Sequence, residues 1–467
     1  MEEKNDLMEK IVALSKRRGF IYPGSDIYGG LANTYDYGPM GVELMRNIKN
    51  AWWEHFVHER DDILGLESSI FMSPKVWEAS GHTASFTDVL IDCKNCQTRT
   101  RADHLIEDFA STNGEEIKVE GLSPEEMDRI IADRKIPCPK CKEFNWTKTR
   151  KFNLLFETKI GIVEDTQSLV YLRGEIAQGM FVNFKNVLDT QSPKLPFGLA
   201  QSGAAFRNEI TLGKSIFRML QFNLSEFEYF FDPETQDWNE LFEYWKKEMW
   251  NWTTNVLGVK EGDLRWRSHT DEERSHYSTR TEDIEYKFPW GFKEMYGLAY
   301  RTDFDLKNHT EKSGVELSYR DPYTNKKFIP HVIEPTFGMD RSLMVVLMNG
   351  YTEEEKEGKV RTFLKINPRI APYKAAIFPL LHNKPELVDK AQEVYKMLKK
   401  QMPVAWDSRG NIGKRYASQD EIGTPFCITV DFDTLTDRAV TVRDRDTATQ
   451  ERVKIDDLLS FIKEKVS

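Results

Sequence analysis

Two arginine-bearing segments about 130 residues apart constrain this chain more than any other feature. The first is Phe206-Arg207-Asn208-Glu209, followed by the turn Leu212-Gly213-Lys214 and by Phe217-Arg218-Met219-Leu220-Gln221-Phe222. The second is Glu334-Pro335-Thr336-Phe337-Gly338-Met339-Asp340-Arg341, which runs directly into the apolar stretch 343–348. Guanidinium forks match phosphate oxygens in pairs and keep their charge at every physiological pH. Two of them on separate scaffold elements suit a triphosphate, one on the phosphoryl group under attack and one on the departing pyrophosphate. The chain has no glycine-rich phosphate loop, so neither a P-loop nor a dinucleotide-binding fold competes.

The 467 residues exceed what one ordinary core holds and predict two or three domains. No apolar run approaches the roughly 20 residues that span a bilayer, and the acidic start Met1-Glu2-Glu3-Lys4 lacks the apolar region of a secretory signal. A cytoplasmic protein without membrane contact is expected. The net charge of −10 argues against a broadly basic nucleic-acid binder but leaves room for a local basic face. Arg409, Lys414, Arg415, Arg438, Arg443, Arg445 and Arg452 are the candidates for one.

Of five cysteines, four form two tight pairs, Cys93-x2-Cys96 and Cys138-x2-Cys141, separated by 41 residues. Each pair presents two thiolates from one turn, and four thiolates make a tetrahedral zinc site that is structural because it keeps no open position. The spacer holds an acidic loop around Asn113-Gly114-Glu115-Glu116 and a helix over 124–133. Cys427, in an apolar strand, reads as a core thiol.

Periodicity predicts helices over 3–16 and 41–58, the second with Met45, Ile48, Trp52 and Phe56 on one face. An extended segment over 63–72 follows. The aromatic-rich stretch 154–295 alternates in short runs. Residues 181–184, 217–222 and 227–231 read as strands, and an antiparallel sheet with helices on one side fits. A helix over 235–258 carries four tryptophans, taken as core. Composition shifts near Lys365-Ile366-Asn367-Pro368. Beyond it strand and helix alternate, with strands at 375–381, 403–406 and 425–431 and an amphipathic helix marked by Leu387, Ala391, Val394 and Leu398, which describes a small α/β domain. The expected division is 1–366, with an insert at 93–150, and 367–467.

The paired arginine segments resemble motifs 2 and 3 of class II aminoacyl-tRNA synthetases. Arg17-Arg18-Gly19-Phe20, Pro23-Gly24-Ser25-Asp26-Ile27-Tyr28-Gly29-Gly30 and Tyr35-Asp36-Tyr37-Gly38-Pro39 narrow the resemblance to the dimeric glycyl-tRNA synthetases. It continues through residues 74–82, Arg101-Ala102-Asp103-His104 and Gly174-Glu175-Ile176-Ala177-Gln178-Gly179 to Arg443-Asp444-Arg445-Asp446. The C-terminal part is similar to the anticodon-binding domain of several class II enzymes, through residues 413–417 and 420–426. The helix, strand and proline of 41–74 look like motif 1, which in this class forms a homodimer interface.

The resemblance implies an α+β catalytic domain with an antiparallel sheet flanked by helices, a smaller α/β anticodon-binding domain, and an ATP-dependent ligase that charges tRNA(Gly) with glycine. It also extends to a side synthesis of diadenosine polyphosphates. It implies ATP contacts from Arg207, Asn208, Glu209, Phe217, Arg218, Phe222, Glu294, Met295, Gly338 and Arg341, with Mg2+ held through Glu294. Arg207 would meet the α-phosphate and the attacking carboxylate, and Arg341 the γ-phosphate of a bent ATP. Phe222 would offer adenine an aromatic face, with Arg341 on the other. Glycine would be held at its ammonium by Glu175, Glu226 and Glu334, and at its carboxylate by Arg101. Phe222 and Thr336 would also bound it, the Thr336 methyl filling space that a larger amino acid needs. The chain departs from the family at Leu220 and Gln221, where relatives carry a charged pair, and at Gly174. A non-catalytic relative that only binds nucleic acid could lose its phosphate arginines, and this chain keeps them.

Overall fold

The computed structural model describes residues 2–115, 117–119, 121–161, 168–209, 214–271, 273–275, 277–356 and 358–466. Leu212, Gly213 and Glu116, named above in a turn and a loop, lie outside the described residues.

A seven-stranded sheet forms the centre. Its strands are β1 (Ile63–Gly65), β2 (Phe197–Phe206), β3 (Gln221–Phe231), β4 (Leu264–Ser268), β5 (Arg280–Phe288), β6 (Gly291–Thr302) and β7 (His331–Gly338). They lie in the order β4-β5-β6-β7-β3-β2-β1. Every neighbouring pair is antiparallel except β1 against β2. Period-two alternation sends Phe227, Tyr229 and Phe231 of β3 to one face and Phe230 to the other. On the first face sit the helices Pro39–Trp53, Trp238–Asn251 and Met339–Gly350, which bury Ile48, Trp52, Trp245 and Leu343 against the sheet. Gly65 admits the close passage of the first helix, since a Cβ there would stand 2.5 Å from the Trp53 ring.

The expectation of helices on one side, and of a strand at 181–184, is corrected here. Those residues belong to the helix Ala177–Gln191, which covers part of the second face. Ala177, Met180, Phe181 and Phe184 recur at helical spacing and are each 0% exposed, so burial of one face decides the conformation over the β-preference of phenylalanine. The expected strand at 217–222 is also corrected: Lys214 and Ser215 take positive φ, a short 3-10 turn follows over Ser215–Phe217, and regular pairing begins only at Gln221. Phe217 packs there against Phe288 and Trp290, at 5.0 and 5.5 Å. The segment 63–72 holds two short strands in different sheets, Ile63–Gly65 and Phe71–Met72.

The insert is a three-stranded sheet, Thr87–Asp92, Arg99–Arg101 and Arg150–Asn153, with two helices. Pro124–Asp133 carries a reciprocal cap between Ser123 and Glu126. Ala102–Thr112, which periodicity did not single out, buries Ala102, Leu105 and Ile106 against the first.

The C-terminal strands are β8 (Ala375–Pro379), β9 (Val404–Trp406), β10 (Phe426–Val430), β11 (Ala439–Asp444) and β12 (Gln450–Lys454), in the order β9-β8-β10-β11-β12. β8 runs parallel to β9 and β10, and the rest of the sheet is antiparallel. The helices Pro385–Lys399 and Leu458–Val466 fill one face, and Ile412–Ile422 packs on the other over Cys427, which is 1% exposed. No helix among the described residues is long and apolar enough to cross a membrane.

Three of the basic residues assigned to a nucleic-acid face turn out to be internal. Arg445 donates to the carbonyls of Gly423 and Ile366 at 2.7 and 2.8 Å. Arg443 forks onto Asp420 at 2.9 and 3.1 Å, and Arg415 donates to the Pro379 carbonyl at 2.6 Å. Each satisfies backbone or a carboxylate that would otherwise be buried unpaired. Arg452 is bound to Asp431 and Asp437. Arg409, Lys414 and Arg438 remain exposed.

Candidate active site

The two arginine segments meet. Arg207 ends β2, and Arg341 stands in the first turn of the helix that continues β7. Both line one cleft over the second face of the sheet, together with Glu175, Glu209, Phe217, Arg218, Phe222 and Glu226. Glu294, Met295, Glu334, Thr336 and Gly338 complete the expected residues found there. The cleft exists because β3, β6 and β7 are adjacent: Glu226 pairs with Thr336 across one ladder, and Ala299 with Glu334 across the next.

Arg207 is held before any ligand arrives. Its guanidinium lies between the rings of Phe86 and Phe222, at 5.0 and 5.2 Å, and its Nε donates to the Gly174 carbonyl at 3.0 Å. Among the described residues its terminal nitrogens make no hydrogen bond, so they face the cleft free. Arg341 packs on Phe217 at 4.6 Å and donates from Nη1 to the Glu294 carbonyl at 2.9 Å. Its charge, 3.1 Å from the Glu294 carboxylate, holds that acid below its ordinary range. Arg218 Nη1 and Glu209 Oε2 stand 4.0 Å apart, both atoms buried and, among the described residues, without a hydrogen bond.

The floor is acidic. Glu175, Glu226 and Glu334 are 8%, 2% and 7% exposed. Glu175 meets His82 at 3.1 Å and accepts from Gln178 at 2.9 Å. Burial pushes it up, but His82, Arg301 and Gln178 outweigh that and hold it well below the usual carboxylate range. Glu334 accepts from Arg301 Nη1 at 2.9 and 3.0 Å. Burial nevertheless pushes it up to about 7, against the pull of Arg301. Burial, then Glu334, drives Glu226 well above its ordinary value, and among the described residues its Oε1 has no partner. Thr336 Oγ1 lies 3.4 Å from Glu226 Oε2.

Two expected residues stand elsewhere. Arg101 is engaged by Asp103 at 2.5 Å and Asp88 at 2.9 Å and does not line the cleft. Asn208 does not line it either, and its backbone N–H donates to the Leu154 carbonyl at 2.8 Å. Sequence reasoning missed Arg301, 1% exposed, which ties the floor together through Glu334 and Asp305. Its only signal was the i, i+4 spacing to Asp305 at a strand-to-helix junction. The reading also missed His269 and Asp283, 2.6 Å apart and both lining the cleft.

In the insert, Cys93 and Cys138 each begin a tight turn closed by a residue of positive φ, Gln97 and Lys142. The turns face each other. Sγ of Cys93 is 3.6 Å from that of Cys141, Cys96 is 3.6 Å from Cys138, and all four sulfurs lie within 4.8 Å of one another.

Residues 374–465 match the family model for an anticodon binding domain. The chain is 51% identical over 460 residues to a glycine–tRNA ligase of Caldanaerobacter subterraneus subsp. tengcongensis, covering 98% of each chain. It is 53% identical over 464 residues to one of Acetivibrio thermocellus, covering 99% of each, and 53% identical over 461 residues to one of Clostridium perfringens, covering 97% of each. Identity of that level along essentially all of both chains, in a fold whose cleft gathers the two arginine segments, means that the chain belongs to the glycine–tRNA ligase family.

Proposed function

We propose that this protein is a glycine–tRNA ligase, which activates glycine with ATP and transfers it to the 3′ end of tRNA(Gly). The observation that carries the reading is one cleft with two preset guanidinium groups above an acidic floor. In the first step the glycine carboxylate oxygen attacks the α-phosphorus, a P–O bond forms, and the bond to pyrophosphate breaks. Charge spreads over the equatorial oxygens, so preset cations do most of the work. Arg207, clamped between two rings, meets the α-phosphate and the carboxylate. Arg341 and Arg218 hold the outer phosphates, with Glu209, Phe222, Met295 and Gly338 around the nucleoside. In the second step the terminal ribose hydroxyl attacks the adenylate carbonyl and releases AMP.

Glycine offers only its two ends. Its ammonium meets Glu175, Glu226 and Glu334, and Thr336 fills the space beyond the α-carbon. Arg101, engaged by Asp88 and Asp103, reaches the carboxylate only if those partners release it. Magnesium travelling with ATP would neutralise phosphate charge, and the exposed Glu294 carboxylate offers the hard oxygens it prefers.

The four insert thiols suit a structural zinc. Zn–S bonds of about 2.3 Å in a tetrahedron imply sulfur separations of about 3.8 Å, close to the 3.6 Å of both cross pairs. The enzyme works in the cytoplasm, where such thiols stay reduced. It acts as a homodimer through the motif-1 elements, a reading supported by the exposed Val42 and Phe71 on them. The division at 366/367 separates the catalytic part from the anticodon-binding part.

The test is pyrophosphate exchange with each amino acid in turn. Exchange specific to glycine is expected, and exchange with another amino acid but not glycine refutes the reading.

A further inference from the structure

Glu228 is 0% exposed, and among the described residues neither of its carboxyl oxygens has a hydrogen-bond partner. It lies on β3 two residues beyond Glu226, so both side chains leave the same face of the sheet. The register that pairs Glu226 with Thr336 and Tyr229 with Ile333 sets Glu228 across from Glu334. Carboxylate oxygens of Glu226, Glu228 and Glu334 fall within 4.8 Å of one another.

The cation beside this trio spends four of its five N–H groups on Glu334 and Asp305. Arg301 donates from Nε and Nη2 to Asp305 and from Nη1 to both oxygens of Glu334. Gln178 Nε2 is taken by Glu175 and Asp305, and its Oε1 by His309. The groups facing Glu228 are Glu334, Glu226 and Asp305, all acceptors, and Arg301, whose N–H groups make no hydrogen bond to it. A buried carboxylate among acceptors finds no partner, whereas a carboxylic acid can donate to one of them. Of the trio, Glu226 and Glu334 line the cleft and Glu228 does not.

We propose that Glu228 is a positioning residue of the ammonium subsite: it carries a proton at neutral pH and donates it to the Glu226–Glu334 carboxylates, orienting them for a single ammonium. This rests on the glycine-activating reading above. Burial, then the charge of Glu334, drives the Glu228 carboxyl well above its ordinary range, in the same direction. With Glu228 neutral, Glu226 and Glu334, both pushed up by burial, are relieved of one neighbouring charge, so the anion that an incoming ammonium neutralises sits in the cleft-facing pair and not beneath it.

The experiment compares wild type, Glu228→Gln and Glu228→Leu on the full chain. Glutamine keeps a donor in place of the proton; leucine keeps the bulk and donates nothing. In pyrophosphate exchange at pH 7.5, Glu228→Gln should keep the glycine KM within about threefold, and Glu228→Leu should raise it about tenfold or more, a difference of about 1.4 kcal/mol per decade. The KM for ATP should hold within about threefold in both. The infrared difference spectrum of wild type minus Glu228→Gln should contain the carbonyl band of a buried protonated carboxylic acid. Absence of that band, a glycine KM raised about tenfold by Glu228→Gln, or one unchanged by Glu228→Leu would each overturn the proposal. The band reports the proton without catalysis. Wild type that shows the band but no glycine-dependent exchange leaves the proton assignment standing, refutes the functional reading, and with it the role in holding the ammonium.

Discussion

Arg301 and Glu334 form a buried ion pair across adjacent strands, β6 and β7, with the guanidinium 1% exposed and both carboxylate oxygens 2.9 and 3.0 Å from Nη1. The same guanidinium forks onto Asp305 at 2.8 Å from Nε and 2.8 Å from Nη2. Removing one partner of such a pair leaves the other charge buried and unpaired, which costs about 3–5 kcal/mol. Arg301→Met should therefore lower the urea midpoint sharply and raise the glycine KM, because Glu334 then takes up a proton. A variant with unchanged stability and unchanged glycine KM would show that the pair does neither job.

Arg207 and Arg341 carry little of the fold. Arg207 touches the protein through two rings and one carbonyl, and Arg341 through Phe217 and Glu294. Each Arg→Ala change should keep the melting temperature close to wild type. Each should also cost pyrophosphate exchange roughly 3–4 kcal/mol of transition-state stabilisation, the usual loss for one preset donor. Arg207→Lys should not rescue, since a point charge cannot replace a planar fork held between rings. Near-normal exchange in Arg207→Ala would remove it from the reaction.

The arginine segments were legible in the sequence because their chemistry is carried by residue type and local order, and 13 of the 15 residues expected to meet ATP or glycine line the cleft. Arg301 was not legible, because its role depends on β6 lying beside β7, a pairing of sequence-distant strands. The helix Ala177–Gln191 was misread at 181–184 because a short run of phenylalanine and valine has the composition of a strand, whereas the three-residue spacing of Phe181 and Phe184, extended by Ala177 and Met180, marks one face of a helix. The buried arginines of the C-terminal part look like surface charges in sequence. Only the carbonyls of Gly423, Ile366 and Pro379 and the Asp420 carboxylate, placed by tertiary packing, explain them.

The insert thiols give a metal prediction. Protein prepared without chelator should contain about one zinc per chain. Cys138→Ser, at a position 0% exposed, should lose the metal and loosen the insert, read as protease cleavage within 93–150. Metal-free wild type with an intact, protease-resistant insert would count against the site.

His104 supplies a pH dependence. Burial, reinforced by Arg101, lowers its pKa from the ordinary 6.5 to about 4. The unfolded chain therefore binds this proton at a higher pH than the folded one. The contribution to stability is fully present above about pH 6.5 and is lost as pH falls from there through about 4. His104→Gln should flatten that acid limb in denaturation series run between those values while leaving neutral-pH stability nearly unchanged. An identical limb in variant and wild type would assign the loss to other groups.

The C-terminal arginines divide into two classes with opposite expected phenotypes. Arg443, 7% exposed, neutralises Asp420, which is 2% exposed and also meets Arg361 at 2.9 Å. Arg443→Ala leaves a buried carboxylate short of a partner and should destabilise this part of the chain by several kcal/mol, on the order of 3. Arg409 is different: its side chain is 92% exposed, with one contact to Asp407 at 3.2 Å. Arg409→Ala, like changes at the exposed Lys414 and Arg438, should leave stability within about 0.5 kcal/mol. If these residues meet tRNA phosphates, each substitution should weaken tRNA binding and make the slope of log affinity against log salt shallower by about 0.7–0.9. Titration of tRNA(Gly) against wild type and the three variants at several salt concentrations measures both quantities. Unchanged affinity and unchanged slope in all three would move the RNA-binding face away from the exposed loop and helix start at 409–414 and from Arg438.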